Sequence, residues 1–180
     1  MSRVSRRRSV WVAVCTAVLV LATGASAVGT RDAAIDPGQR VGEMRVVQGI
    51  KREADAWLFD TICDPVVLRT GRRTRSCGRL PPVRRLFVGH GIFAPGQQID
   101  RAWKETTWDM WIDGRRIHLG AFGHADRTLS AYAPAGGRDV VLREWAIILV
   151  GAEGRHSVRY RTRNSEGVAD TTWKFTVTPR

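Results

Sequence analysis

The chain has 180 residues, 29 lysines and arginines against 17 acids, and a formal charge of +12. Its 43% hydrophobic and 26% charged residues exclude a mostly disordered chain, and its 3 cysteines exclude a disulfide-dense scaffold. The length fits one domain with an appended segment, so the basic excess is what requires explanation.

Residues 1–9 carry Arg3, Arg6, Arg7 and Arg8 and no acid. Residues 10–21, VWVAVCTAVLVL, form an apolar run, and Ala25-Ser26-Ala27 supplies small residues behind it. That order predicts a secretory signal peptide over residues 1–27, with a mature chain starting near Val28. The alternative is an uncleaved membrane anchor, because residues 10–28 approach the roughly 20 apolar residues that a span requires. Either reading places the rest of the chain outside the cytoplasm. The arginine pair leaves Sec and twin-arginine export both open. Val14 stands before Cys15 where a lipoprotein needs a small residue, so no lipid anchor is expected.

Without the signal, 25 basic residues remain against 17 acids, a charge of +8. Cys63 and Cys77 also remain, and a lone pair in an exported chain reads as a disulfide. Residues 28–85 are predicted to be an N-terminal leader and a basic disulfide loop. Residues 32–39 contain Asp36-Pro37-Gly38 and read as extended chain with a turn. In residues 51–61, KREADAWLFDT, the front half suits a helical turn and WLFDT suits a strand.

From Val66 to Gln98 there is no Asp or Glu. That window holds Arg69, Arg72, Arg73, Arg75, Arg79, Arg84 and Arg85, which carry +7 of the mature +8. One reading is a disulfide-pinned basic loop that meets an anionic cell-envelope polymer, a lipid head group, extracellular nucleic acid or an acidic protein. The other is a solvated loop, with arginine enriched for reasons unrelated to binding. No aromatic interleaves these arginines before Phe87, so no base-stacking platform is indicated. An intracellular nucleic-acid role does not fit the predicted export.

From Leu86 onward the pattern is strand-like. In residues 107–119, TWDMWIDGRRIHL, Asp113-Gly114 predicts a two-residue type I′ hairpin. Pairing then sets Ile112 opposite Arg115, Met110 opposite Ile117 and Trp108 opposite Leu119 on one face. The other face sets Trp111 opposite Arg116 and Asp109 opposite His118. Residues 128–132 are a short candidate strand, and residues 140–150, VVLREWAIILV, a long buried one ended by Gly151 and Gly154. In residues 157–163, Val158, Tyr160 and Thr162 alternate with Arg159, Arg161 and Arg163. Residues 164–170 read as a polar turn, and Trp173, Phe175 and Val177 alternate with Thr and Lys after it. No segment after Leu86 shows a helical period. Short strands with regular turns predict an all-β antiparallel sandwich over residues 86–180.

The stretch GRHSVRYRTRNSEGVADTTWKFTV, from Gly154 to Val177, resembles the last two strands of bacterial immunoglobulin-like domains. The Trp111-Ile112-Asp113-Gly114 hairpin resembles their middle strands. The resemblance covers about residues 86–178 and lacks the Cys…Trp…Cys arrangement of antibody domains. It implies a β-sandwich with a binding or spacer role and supplies no catalytic residues.

The sequence is therefore read as a secreted, non-catalytic binding protein without a cofactor. One alternative is a carbohydrate-binding module that stacks sugar on Trp103 and Trp111. Another is a small metal-assisted hydrolase using His118, His124 and Asp126. No G-x-S-x-G motif or phosphate-binding glycine loop accompanies the histidines.

Overall fold

A computed structural model describes residues 33–61, 63, 70–129 and 139–180. The signal segment 1–27, Arg69 and residues 130–132 lie outside the described residues. Among the described residues the chain is mainly β. In order come β1 (Arg40–Val41), β2 (Met44–Gln48), β3 (Ala56–Trp57), α1 (Leu58–Thr61), β4 (Gly71–Leu80), β5 (Arg85–Phe87) and β6 (Gly91–Pro95). There follow α2 (Ile99–Glu105), β7 (Thr107–Ile112), β8 (Arg115–Arg116), α3 (Leu119–Phe122) and β9 (His124–Thr128). The last four strands are β10 (Val140–Trp145), β11 (Ile147–Val150), β12 (Gly154–Asn164) and β13 (Gly167–Val177).

Strands β4-β13-β12-β7-β8 form one sheet in that order, antiparallel except for the parallel β4–β13 pair. A second sheet, β1-β2-β11-β5-β3, adjoins a three-stranded one, β6-β10-β9. These two are continuous through one ladder. Glu144 opposite Gly91 and Ile148 opposite Phe87 keep the same register. Between them Trp145 N donates to His90 O at 3.1 Å and Val88 N to Ile147 O at 3.0 Å. At Ala146 the neighbour on the other edge changes from β9 to β2: its N donates to Gly123 O, and its O accepts from Gly49 N. The backbones approach so closely that a Cβ on Gly89 would sit 2.0 Å from Trp145 O. The stretch 140–150 is thus two strands in two sheets, not the single expected strand.

The inner faces meet in one core. Met44, Val46, Leu86, Val88, Ile147 and Leu149 come from the bent layer. Met110, Ile112, Val158, Tyr160, Trp173, Phe175 and Val177 come from the five-stranded sheet. Fully burying each such side chain stabilises the fold by about 1.5–3 kcal/mol. Tyr160 Oη donates to Val88 O at 3.1 Å, so the one phenol in this core is satisfied across the layers.

The hairpin forms in the predicted register, with Asp113 at φ 48° and Gly114 at φ 79°. Ile117 N still donates to Met110 O at 2.9 Å. The chain then enters α3, so Trp108 and Leu119 do not pair as expected. His118 turns to Asp36, its Nδ1 2.9 Å from the carboxylate, and Asp109 takes Arg116 instead. Ile35 of the leader bridges to Ile117 and is buried.

Other expectations are corrected. From Gly71 to Cys77 the basic disulfide loop belongs to the strand β4, held by its backbone ladder to β13. Its first six residues are exposed, so no apolar alternation marked it. The domain boundary expected at residue 86 falls inside β5, and β2 and β4 share sheets with β11 and β13. β9 spans His124–Thr128 and so ends where the candidate strand at 128–132 was expected to begin. The turn after β12 is only Ser165-Glu166. WLFDT splits between the end of β3 and α1. α2 is a helix after Leu86, but its 7 residues bury only Ile99, too few to display a helical period.

Cys63 and Cys77 are buried and bonded to each other, Cα to Cα 5.1 Å, 14 apart in sequence. Closing a loop of that length restricts the unfolded chain by about 3 kcal/mol. The double variant Cys63→Ser/Cys77→Ser is expected to lose about that much in urea unfolding. A loss below about 1 kcal/mol would show that the bond adds little to this fold.

Candidate anion-binding face

In a strand, successive side chains point to opposite faces, and residues opposite each other across a ladder share a face. Val158, Tyr160 and Thr162 of β12 are buried, so Arg155, Ser157, Arg159, Arg161 and Arg163 project outward. On β13 the outward partners are Thr176, Lys174, Thr172 and Asp170. Across β7, Trp111 lies opposite Arg159 and Asp109 opposite Arg161. Arg116 of β8 lies opposite Trp111. On β4, Arg72 lies opposite Asp170, Ser76 opposite Lys174, and Arg79 opposite Thr176 after a register shift. Eight cations and two carboxylates therefore share this outer face, a net of six positive charges.

Both carboxylates are engaged. Arg159 donates to Asp170 from Nε at 2.7 Å and Nη2 at 2.6 Å, a bidentate pair. The same guanidinium lies 4.5 Å from the Trp111 ring centre. The Arg159 hydrogen bond, opposed by burial, holds the Asp170 carboxyl below the usual carboxylate range. Asp109 pairs with Arg116. Arg72, Arg79, Arg155, Arg161, Arg163 and Lys174 form no ion pair among the described residues. Arg72 and Arg161 also act on Asp170 through space, and the six side chains form no direct ion pair.

The structure distributes the residues singled out from sequence. Arg72 and Arg79 lie on this face. Arg73 and Arg75 point to the other side of β4 and are exposed because β4 is an edge strand. Arg84 is exposed ahead of β5. Arg85 belongs to the interior: its Nε donates to the buried Asp55 at 2.8 Å. Burial pushes the Asp55 carboxyl up, but the Arg85 hydrogen bond, the hydrogen bond from Arg52 N and the charges of both arginines leave it lowered. Trp111 lies on the face beneath Arg159. Trp103 packs on the opposite side of the sheet, with ring centres 5.2 Å from Trp108 and 4.8 Å from Trp145. The two tryptophans do not form a common stacking surface.

Arg116, Arg155, Arg159, Arg161, Arg163 and Lys174 were not recognised as candidates. The outward alternation of β12 was visible, but Glu153, Glu166 and Asp170 reduce the net charge of residues 153–170 to +1. Counting charge by sheet face instead of by window would have found the site.

Two clusters bear on catalysis. Asp113, His156 and Ser157 have the residue types of a hydrolase triad. The connectivity differs: His156 Nδ1 is 2.8 Å from Asp113 and its Nε2 is 3.0 Å from Glu153 O. Ser157 Oγ reaches Asp113 at 3.4 Å, not the imidazole, so no base is set on that hydroxyl. The Asp113 hydrogen bond, against burial, raises the His156 pKa, and the contacts of Asp113 with His156 and Ser157 N tie the β7–β8 turn to β12. His118, His124 and Asp126 do not gather into a metal-binding group. His118 meets Asp36, His124 stacks on Trp103 at 5.1 Å, and Asp126 is clamped by Arg143 at 2.6 Å.

The disulfide fits an oxidising compartment. Among the described residues no helix is long and apolar enough to cross a membrane. The chain matches no protein-family model and no curated protein.

Glu144 is a buried acid outside the face. Among the described residues Arg127 lies 4.0 Å away, and the Glu144 Oε2 has no hydrogen-bond partner. Burial pushes its carboxyl from the ordinary 4.5 up to about 7. The folded value lies above the unfolded one, so its contribution to stability is complete below pH 4.5 and lost as pH rises through about 7. Glu144→Gln removes this titration. The stability of the variant relative to wild type is expected to rise by up to about 3 kcal/mol between acid and alkaline pH, measured by urea unfolding. Parallel stability curves for the two proteins would contradict the assignment.

Proposed function

We propose that the protein is an exported, non-catalytic binding protein that docks an anionic partner on the outer face of the β4-β13-β12-β7-β8 sheet. The observation that carries this reading is the six cations without an ion pair on one sheet face, while the rest of the chain from residue 28 onward holds 19 basic residues against 17 acids. The partner with the best fit is an anionic polymer of the cell envelope, with an acidic protein as the alternative. A flat sheet presents charges at fixed intervals, about 4.8 Å between strands and about 7 Å between alternate residues of one strand. A chain carrying regularly spaced anions can meet several of them at once. Thr74, Ser76, Thr172 and Thr176 supply hydroxyl donors between the charges. The N-terminal arginines, apolar run and small residues support export, and the disulfide is consistent with it. An immunoglobulin-like sandwich is the fold that the last two strands and the central hairpin suggest.

Polyphosphate and polyglutamate are suitable probes. Binding is expected to weaken by about two to three orders of magnitude between about 50 and 200 mM salt, since each contact releases a counterion. The triple variant Arg161→Ala/Arg163→Ala/Lys174→Ala is expected to bind at least about tenfold more weakly, with a shallower salt dependence. Arg84→Ala is expected to bind as wild type does. Salt-independent binding, or equal losses in the triple variant and Arg84→Ala, would overturn the reading.

A further inference from the structure

β4 ends one side of the five-stranded sheet and runs past the core beneath it. Residues 71–76 keep an unbroken register with residues 169–174 of β13, and the register shifts only after them. At about 3.3 Å per residue this run is about 20 Å long, the length of an ordinary strand. Thr171 and Trp173 of β13 are buried, yet Arg73 and Arg75 opposite them are exposed. All of residues 71–76 are exposed, so the strand overhangs the core and both of its faces meet solvent. A strand at the end of a sheet directs alternate backbone N–H and C=O groups away from its one neighbour. Among the described residues β4 pairs only with β13, and no further backbone hydrogen bond reaches it before Leu80.

An open edge of this kind is a template for another strand. Main-chain hydrogen bonds supply the attraction, and side chains on the two faces supply the selection. Arg72 stands on the outer face and Arg73 and Arg75 on the other. None of the three forms an ion pair among the described residues. A second copy of β4 would set these guanidinium groups against one another across the new ladder, which is unfavourable. A neutral strand gains nothing from them. An acidic strand sets carboxylates opposite or diagonal to arginines on both faces, where each can accept two hydrogen bonds from a guanidinium. A run of acids also repels itself and stays extended when free, so its own edges are open. We propose that the outer edge of β4 accepts, by strand addition, an acidic segment of a partner protein. The edge uses backbone groups that a polymer without amides cannot match. Of its arginines only Arg72 belongs to the outer face, and the proposal does not rest on binding there.

The test uses a capped peptide of about eight residues, with pairs of Glu separated by Thr so that both of its faces carry acid. Amide hydrogen exchange of the protein is the readout. Saturating peptide at low salt is expected to slow alternate amides of residues 72–76 by at least about tenfold. Polyphosphate, which has no amides, is expected to leave them unprotected. Methylating every second amide of the peptide leaves it one open edge and is expected to preserve binding. Methylating every amide keeps the charge and is expected to weaken binding at least about tenfold. Arg73→Ala/Arg75→Ala is expected to weaken the peptide about tenfold and to bind polyphosphate as wild type does. The Arg161→Ala/Arg163→Ala/Lys174→Ala variant is expected to keep the protection in β4, so failure of the edge is distinguishable from failure of the outer face. Equal binding of the unmethylated and fully methylated peptides, or no protection in β4 at saturation, would overturn the proposal. So would protection of the same amides by a second copy at high protein concentration with no peptide added.

Discussion

The structure depends on the register between β12 and β13. Eleven consecutive residues pair, from Gly154 opposite Val177 to Asn164 opposite Gly167. Because side chains alternate, that register places Val158, Tyr160, Trp173 and Phe175 in the core and the arginines of β12 outside it. A slip of one residue would exchange the two sets and bury guanidinium groups without partners, which costs far more than the fold can spare. Gly167, at φ 126°, and the Ser165-Glu166 turn fix the hairpin end, while Asp113 braces the other end by accepting from Ser157 N at 2.6 Å. The neighbouring strands inherit the division: β7 places Met110 and Ile112 inward and Trp111 outward, and β4 adds Arg72 and Arg79 to the outer side.

The same period that builds the core therefore concentrates charge. The concentration is tolerable because the face is solvent-exposed and its two carboxylates are placed among the cations. Asp170 holds Arg159 over Trp111, which removes one charge from the repulsion and orders the centre of the face. Around that centre Arg116 pairs with Asp109, and Arg72, Arg79, Arg155, Arg161, Arg163 and Lys174 form no direct ion pair among the described residues. Like charges on neighbouring strands repel one another, and an approaching anionic chain relieves that repulsion. This is the link from fold to the proposed function: the face does not need a cavity to be selective for negative charge.

How much was legible in the sequence follows from how local each feature is. The Asp113-Gly114 turn, the alternation of β12 and β13 and the Cys63–Cys77 pair rest on short-range patterns, and all three are present. β4 was not legible, because an exposed edge strand needs only backbone partners and its GRRTRS segment carries no apolar alternation. The break at Ala146 was not legible either, since both sides of the bend are buried and the apolar run continues through it. The candidate site was half visible. Arg72 and Arg79 were singled out from a linear window that also swept in Arg85, whose charge is taken by Asp55. The β12 arginines were seen to face outward but were not counted, because Glu153, Glu166 and Asp170 leave their linear window with a net charge of only one, whereas of these three acids only Asp170 shares their face.

The central claim is that the outer face of the five-stranded sheet is where an anion docks. The most direct measurement follows the arginine Nε resonances of the protein during titration with polyglutamate. The account predicts that Arg155, Arg161 and Arg163 shift first, together with Arg72 and Arg79, while Arg84 and Arg101 stay in place. Equal shifts across all exposed arginines, or shifts confined to residues outside this face, would contradict it.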